Sequence, residues 1–152
     1  MDEVRLIRDQ INITYKGSSW HGPNMVQILD GLELDEVIAK QIGGRHSIWE
    51  IVNHIAFWIN VVNRSLNGNY VSKGELKRDW PEIGTTQEDW ILSVEKLHIS
   101  INSLLDSLSD LSNEELEVMI LDTNYNYRTV LQGILHHNLY HMGQISLLKK
   151  KR

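Results

Sequence analysis

The sequence contains no cysteine among its 152 residues. It can therefore form no disulfide, offers no thiolate nucleophile and cannot build a cysteine-ligated zinc or iron–sulfur site. Proline is scarce, with 2 residues beside 10 glycines, which argues against a loop-rich or disordered chain. The longest strongly apolar stretch, near residues 55–62, is interrupted by Asn60 and is far too short to cross a bilayer.

Composition and length together favour one globular domain over residues 1–152. An apolar fraction of 41% and a charged fraction of 23% are ordinary for such a domain, and the chain is long enough to bury a core. The first ten residues, MDEVRLIRDQ, lack the pattern of a signal peptide, so we expect a cytoplasmic protein. The net charge of −5 disfavours nonspecific nucleic-acid binding. We expect the basic tail, residues 149–152, to be a solvated helix end that matches the helix dipole.

The spacing of apolar residues predicts an all-α protein, a four-helix bundle with short extra helices in its connections. Four long helices are expected, at about residues 2–15, 47–66, 87–108 and 128–149. The second begins with a capping box, Ser47 with Glu50, and should end at Asn67-Gly68. In the third, apolar residues from Trp90 to Leu108 recur every three or four positions, as in the seam of a helical bundle.

The connections carry weaker signals. Pro23 fits the first turn of a short helix, and residues 35–41 fit a further turn or two. Ser112 and Glu115 repeat the capping-box pattern before the fourth helix. The connection between the second and third helices has about 20 residues, which is long for a bundle. Such a segment suits a role in covering an opening or crossing the bundle.

The fourth predicted helix carries three histidines in the stretch LHHNLYHMGQI, residues 135–145. On a helical wheel at about 100° per residue, His141 falls inside the apolar stripe and His137 falls on its edge, one turn away. His136 falls on the opposite face, toward solvent or a partner, and Tyr140 also turns outward. Helix geometry therefore singles out His137 and His141 as a pair on one inward face.

This pair has two interpretations. Histidines at i and i+4 can bind one divalent ion, as in a zincin helix, or they can be hydrogen-bonded side chains on a helix face. A buried imidazole needs a polar partner, and a metal ion would supply one. His54, in the stretch IVNHIAFW of the second helix, could add a third nitrogen ligand and leave coordination positions open, which is typical of a catalytic ion. Gln144 is a candidate partner that orients His137 or His141.

The other histidines are weaker candidates, and no other catalytic motif is present. We expect His46 to be a capping or packing residue, His98 to lie exposed or at a helix edge, and His21 to lie in a surface loop. The sequence has no P-loop, no G-x-S-x-G and no G-x-G-x-x-G, and the general base stays unassigned. Trp20 and Trp80, both in predicted loops, are candidate walls of a pocket.

The segments HSIWEIVNHIAFW and YRTVLQGILHHNLYHMGQISLLKK together resemble the DinB-like superfamily, also called YfiT-like. The resemblance covers essentially the whole chain. It implies a four-helix bundle that binds one divalent metal ion, often nickel or zinc, through His54, His137 and His141. Iron and manganese also suit three neutral nitrogen ligands. Met142 stands where many relatives have arginine, a difference that leaves the three ligands unchanged.

The same resemblance implies an activity. Family members include S-transferases and isomerases that use a low-molecular-weight thiol such as bacillithiol or mycothiol, and homodimers are common among them. We therefore expect the metal to hold a thiol as thiolate, which attacks an electrophilic small molecule. A metal-dependent hydrolase of unknown substrate is the chemical neighbour, and a non-catalytic bundle that binds a small molecule or a protein is the main alternative. No nucleic-acid or membrane partner is expected.

Overall fold

The structure is a computed structural model that describes residues 2–40, 43, 45–69 and 71–149. Its helices are α1 (Glu3–Lys16), α2 (Met25–Leu29), α3 (Leu34–Ile38), α4 (Ile48–Leu66), α5 (Lys73–Leu76), α6 (Gln87–Ser109) and α7 (Tyr127–Leu148), with a 3₁₀ turn at Glu114–Glu117. The described residues contain no strand beyond an isolated antiparallel bridge. In the same ranges, no helix is long and apolar enough to cross a membrane. The predicted all-α class is confirmed.

The four long helices, α1, α4, α6 and α7, form the bundle. α4 packs against both α6 and α7, and α1 packs against the same two helices. α1 and α4 therefore lie diagonally opposite each other, and the contact between α4 and α7 is one side of the bundle. This side of the bundle carries the histidines that the sequence singles out, His54 on α4 and His137 and His141 on α7.

The start and end of α4 follow from local signals, as predicted. Ser47 Oγ accepts a hydrogen bond from the Glu50 amide at 3.2 Å, and Glu50 Oε2 accepts one from the Ser47 amide at 2.7 Å. These reciprocal bonds pair amides that a helix start otherwise leaves free. After the helix, Gly68 has φ +71°, a conformation that residues with a side chain rarely adopt. Because the cap fixes where α4 begins, it also fixes the position of His54 along the axis of the bundle.

Two short helices differ from the sequence prediction. Pro23 precedes α2 and does not enter its first turn, because Asn24 caps that helix through reciprocal bonds with the residue three positions on. α3 spans Leu34–Ile38, so it begins and ends earlier than the predicted 35–41. Residue 41 lies outside the described residues.

The segments before and after α7 also refine the prediction. Ser112 and Glu115 form the reciprocal bonds of a capping box, but they introduce a 3₁₀ turn. α7 ends at Leu148, and the ammonium of Lys149 donates to the Ile28 carbonyl at 2.6 Å. That carbonyl belongs to the last turn of α2, where carbonyls have no partner within their own helix. Lys149 is thus engaged, not solvated as predicted, and the rest of the basic tail lies outside the described residues.

A buried hydrogen bond joins α4 to α6 inside the core. Trp49 has no exposed surface, and its indole Nε1 donates to Ser93 Oγ at 2.8 Å. The Trp49 ring also meets Trp90 of α6 edge to face, with centroids 5.8 Å apart. The indole N–H depends on Ser93, because an unpaired donor inside a core is unfavourable.

Replacing Ser93 with alanine should lower the free energy of unfolding by about 1–3 kcal/mol, because the Trp49 N–H then stays buried without an acceptor. Urea denaturation measures the effect. Ser100→Ala is the matched control on the same helix, since Ser100 Oγ donates only to the Lys96 carbonyl one turn away. This control should change the free energy of unfolding by less than about 0.5 kcal/mol. Equal losses in both variants would contradict the role assigned to the buried bond.

Candidate metal centre

Two helices of the bundle bring three histidines together. His54 lies on α4, and His137 and His141 lie one turn apart on α7. Because α4 and α7 pack side by side, the three side chains meet, and one nitrogen of each lies within 4.8 Å of the other two. The ring centroids are 4.4, 4.9 and 5.0 Å apart. The three candidate ligands named from the sequence therefore form one cluster.

Oxygen atoms hold the Nδ1 side of two of these rings. His54 Nδ1 donates to the main-chain carbonyl of Asp79 at 2.6 Å, and a carbonyl can only accept, so this nitrogen carries the hydrogen. His141 Nδ1 lies 2.6 Å from the side-chain oxygen of Gln144, one turn further along α7. With Nδ1 engaged, Nε2 is the nitrogen that each ring can offer to a metal ion.

The Nε2 atoms of His54 and His137 face each other at 3.1 Å. His54 Nε2 bears a lone pair and no hydrogen, because the hydrogen of the neutral ring is on Nδ1. The far side of the His137 ring, at Nδ1, lies 3.5 Å from the side-chain oxygen of Asn138. Two nitrogens bound side by side to one ion at about 2.0–2.1 Å would be about 2.9–3.4 Å apart. The observed separation falls in this range, so the pair fits a shared ion.

Burial favours the uncharged form of all three imidazoles. His54 and His141 are each 6% exposed, and His137 is half-buried. Loss of water is the main cause that lowers the pKa of all three rings, and repulsion from neighbouring histidines adds to it. Together these causes lower the pKa of His137 to about 4. Neutral imidazole is the form that binds metal ions.

The connection between α5 and α6 covers the cluster. Trp80 stacks on His54, with ring centroids 3.9 Å apart and planes 9° from parallel. It also stacks on His46, with ring centroids 3.4 Å apart and planes 5° from parallel. Two rings this close cannot share one face of an indole, so Trp80 lies between the two imidazoles. The preceding residue, Asp79, supplies the carbonyl that holds His54. The long connection thus covers the histidine side of the bundle and orients one candidate ligand.

Most of the remaining sequence candidates lie away from the cluster; the exception is Tyr140, whose ring meets His141 edge to face with centroids 5.1 Å apart. His136 and Tyr140 are exposed on the outer face of α7, as the helical wheel predicts. His21 is exposed in its loop, and the neighbouring Trp20 is fully exposed, so it walls no pocket and that prediction is wrong. His98 is half-buried and hydrogen-bonded to a tyrosine hydroxyl of α1.

Two residues that the sequence does not single out as site residues, Asp79 and His46, contribute to the surroundings of His54. Asp79 acts through its main-chain carbonyl, and no sequence motif marks a carbonyl. Its carboxylate oxygen Oδ2 is 3.8 Å from His54 Nδ1, on the side of the ring away from Nε2. His46, in the connection before α4, stacks on the Trp80 indole, and no local sequence pattern marks this contact between two separate connections.

His137 also lines a cavity of about 640 Å³ between α4, α7 and two loops. Trp58 of α4 and Val130 and Ile134 of α7 contribute to its walls. The Trp58 ring meets both His54 and His137 edge to face, at centroid distances of 6.4 Å. A small molecule in this cavity would therefore contact the cluster at His137.

Comparison with known proteins agrees with this geometry. The family model described as the DinB superfamily matches residues 19–145, a span that contains α4, the long connection and all three histidines. No curated protein and no solved structure matches the chain.

We expect His54 and His141 of the metal-free protein to carry their hydrogen on Nδ1 at neutral pH, because oxygen acceptors engage that nitrogen in both rings. Long-range ¹H–¹⁵N correlation spectra distinguish the protonated from the unprotonated ring nitrogen. Gln144→Ala removes the acceptor of His141 and should shift that ring alone toward a mixture of tautomers. His54 is the internal control, since a main-chain carbonyl holds it. An Nε2–H tautomer at His54 in the wild type would contradict the geometry.

Proposed function

Because the chain belongs to the DinB superfamily, we propose that it binds one divalent metal ion through His54, His137 and His141 and uses this ion in small-molecule chemistry. The observation that carries the proposal is the convergence of the three rings, with two Nε2 atoms 3.1 Å apart. The rings are shielded from water and uncharged, and oxygen atoms hold the Nδ1 side of His54 and His141. These are the conditions under which imidazoles act as metal ligands.

A hydrogen-bonded pair of imidazoles is the competing explanation. In that arrangement His137 Nε2 donates to His54 Nε2, and no ion is needed. It accounts for two rings but not for His141, whose centroid lies 4.4 and 4.9 Å from the other two. Gathering three desolvated imidazoles is unfavourable unless something replaces the water that each has lost. A divalent ion would do so for all three rings at once.

The ligand set favours nickel or zinc, with iron or manganese as alternatives, because all four ions accept neutral imidazole ligands. Among the described residues, the cluster contains no fourth histidine, aspartate or glutamate. Three protein ligands leave coordination positions for a small molecule, as in catalytic zinc sites, whereas structural sites are closed by four.

A bound ion would act here as a Lewis acid that lowers the pKa of a thiol or of water. We favour a thiol, in a reaction of the S-transferase class, over the alternative of hydrolysis. Water activation commonly uses a positioned general base. The described residues that line the cavity include no carboxylate, and the Asp79 carboxylate lies behind His54. A coordinating thiol needs no such base.

The metal content of the full chain, purified without an affinity tag or chelator, tests the proposal. Plasma mass spectrometry should find about one ion per chain in the wild type. His54→Ala, His137→Ala and His141→Ala should each lose most of it, because two imidazoles hold an ion far less tightly than three.

His136→Ala is the matched control, since His136 adjoins His137 but is exposed on the outer face of α7. It should keep the wild-type metal content, and circular dichroism should show that all four variants remain helical. A wild type that takes up no ion even after incubation with zinc and nickel would refute the proposal. Equal metal loss in His136→Ala would refute the ligand assignment.

A further inference from the structure

The cavity beside His137 has the size of a small-molecule site. Its volume of about 640 Å³ falls within the range of roughly 300–1,000 Å³ that is usual for ligand pockets. α4 and α7 form two of its walls, and the segment leading into α5 and the loop at residues 119–125 form the others. His137 belongs both to this lining and to the histidine cluster, so the cavity and the candidate metal centre are continuous.

The lining is uncharged. None of the described side chains that line the cavity is aspartate, glutamate, lysine or arginine. Several of its polar groups are engaged within the protein: Ser65 Oγ, Thr123 Oγ1 and the Tyr127 hydroxyl each donate to a main-chain carbonyl. A carboxylate, phosphate or ammonium group would lose water on entering and would gain no oppositely charged side chain from the lining. The cavity therefore disfavours charged ligands.

The mouth of the cavity exposes apolar side chains on a fixed loop. Met119, Leu121 and Tyr125 are 57%, 68% and 56% exposed, and all three belong to the lining. Main-chain hydrogen bonds of 2.9 and 3.0 Å across the loop hold it in place. An apolar rim around an apolar cavity suits a ligand that is apolar along its length.

We propose that this cavity binds an uncharged, apolar small molecule whose single polar group lies at the His137 end. The role of that polar group, to meet the ion, rests on the proposed function, whereas binding of the apolar part does not require the ion. The cavity would then hold the uncharged electrophile of a thiol-transfer reaction.

Two probes of equal chain length and different charge test the proposal. Displacement of the neutral fluorescent dye Nile red from the full chain measures the binding of 1-decanol and of decanoate at neutral pH. The two probes are compared without added metal, because an ion at the His137 end would attract the carboxylate of decanoate. 1-Decanol should displace the dye at a concentration at least about tenfold lower than decanoate, because only decanoate must shed a charged group's water.

Two glycines of α7 provide a matched pair of variants. Gly133 lines the cavity one turn before His137, and Gly143 lies outside the lining; a Cβ added at either would meet no atom within 4 Å. Gly133→Leu should fill the cavity and weaken 1-decanol binding at least about tenfold, whereas Gly143→Leu should leave it unchanged. Gly133→Arg adds a cation and should narrow or reverse the preference over decanoate. Leucine and arginine are better helix formers than glycine, so these variants should fold.

The proposal would be overturned if decanoate bound as tightly as 1-decanol, or if neither probe displaced the dye. Equal effects of Gly133→Leu and Gly143→Leu on 1-decanol binding would also overturn it. The metal proposal is tested separately. A protein that binds one ion per chain but not 1-decanol refutes the cavity proposal alone. A protein that binds 1-decanol with the expected variant pattern but takes up no ion supports the cavity and refutes the metal centre.

Discussion

Where α4 and α7 pack together, three imidazoles have left water while remaining uncharged. Each ring loses hydration on folding, and this loss lowers its pKa and favours the uncharged form. Oxygen atoms satisfy the Nδ1 side of His54 and His141, so the polar requirement that remains is on the Nε2 side. A divalent ion would meet that requirement for three rings together, and the surrounding structure holds the rings in positions suited to one.

Parts of the chain that are far apart in sequence hold the three imidazole rings in position. The capping box at Ser47 sets the start of α4 and thereby the position of His54, and the four-residue spacing on α7 places His137 and His141 on one face. Trp80 and the Asp79 carbonyl then fix the His54 ring from the connection before α6. The cavity reaches the cluster at His137, so the His54 ring is covered by an indole while His137 borders space for a small molecule.

The elements that local chemistry determines could be predicted from the sequence. Capping residues and apolar spacing were enough for α4, and a helical wheel separated the inward His137 from the exposed His136. The contacts that could not be predicted depend on the path of the connections between helices. Trp20 and Trp80 both lie in predicted loops, but Trp80 stacks on His54 of α4 whereas Trp20 is fully exposed. The Asp79 carbonyl and the Lys149 contact with α2 are likewise bonds between distant segments, which no local pattern encodes.

The central claim is that the three imidazoles share one ion, and anomalous diffraction from crystals of the full chain loaded with zinc or nickel tests it most directly. Difference maps from data collected on either side of the metal absorption edge locate the ion without reference to the protein atoms. The account predicts one strong peak at about 2.0–2.2 Å from Nε2 of His54, His137 and His141. No peak at the cluster, or peaks confined to exposed histidines such as His21 and His136, would contradict it.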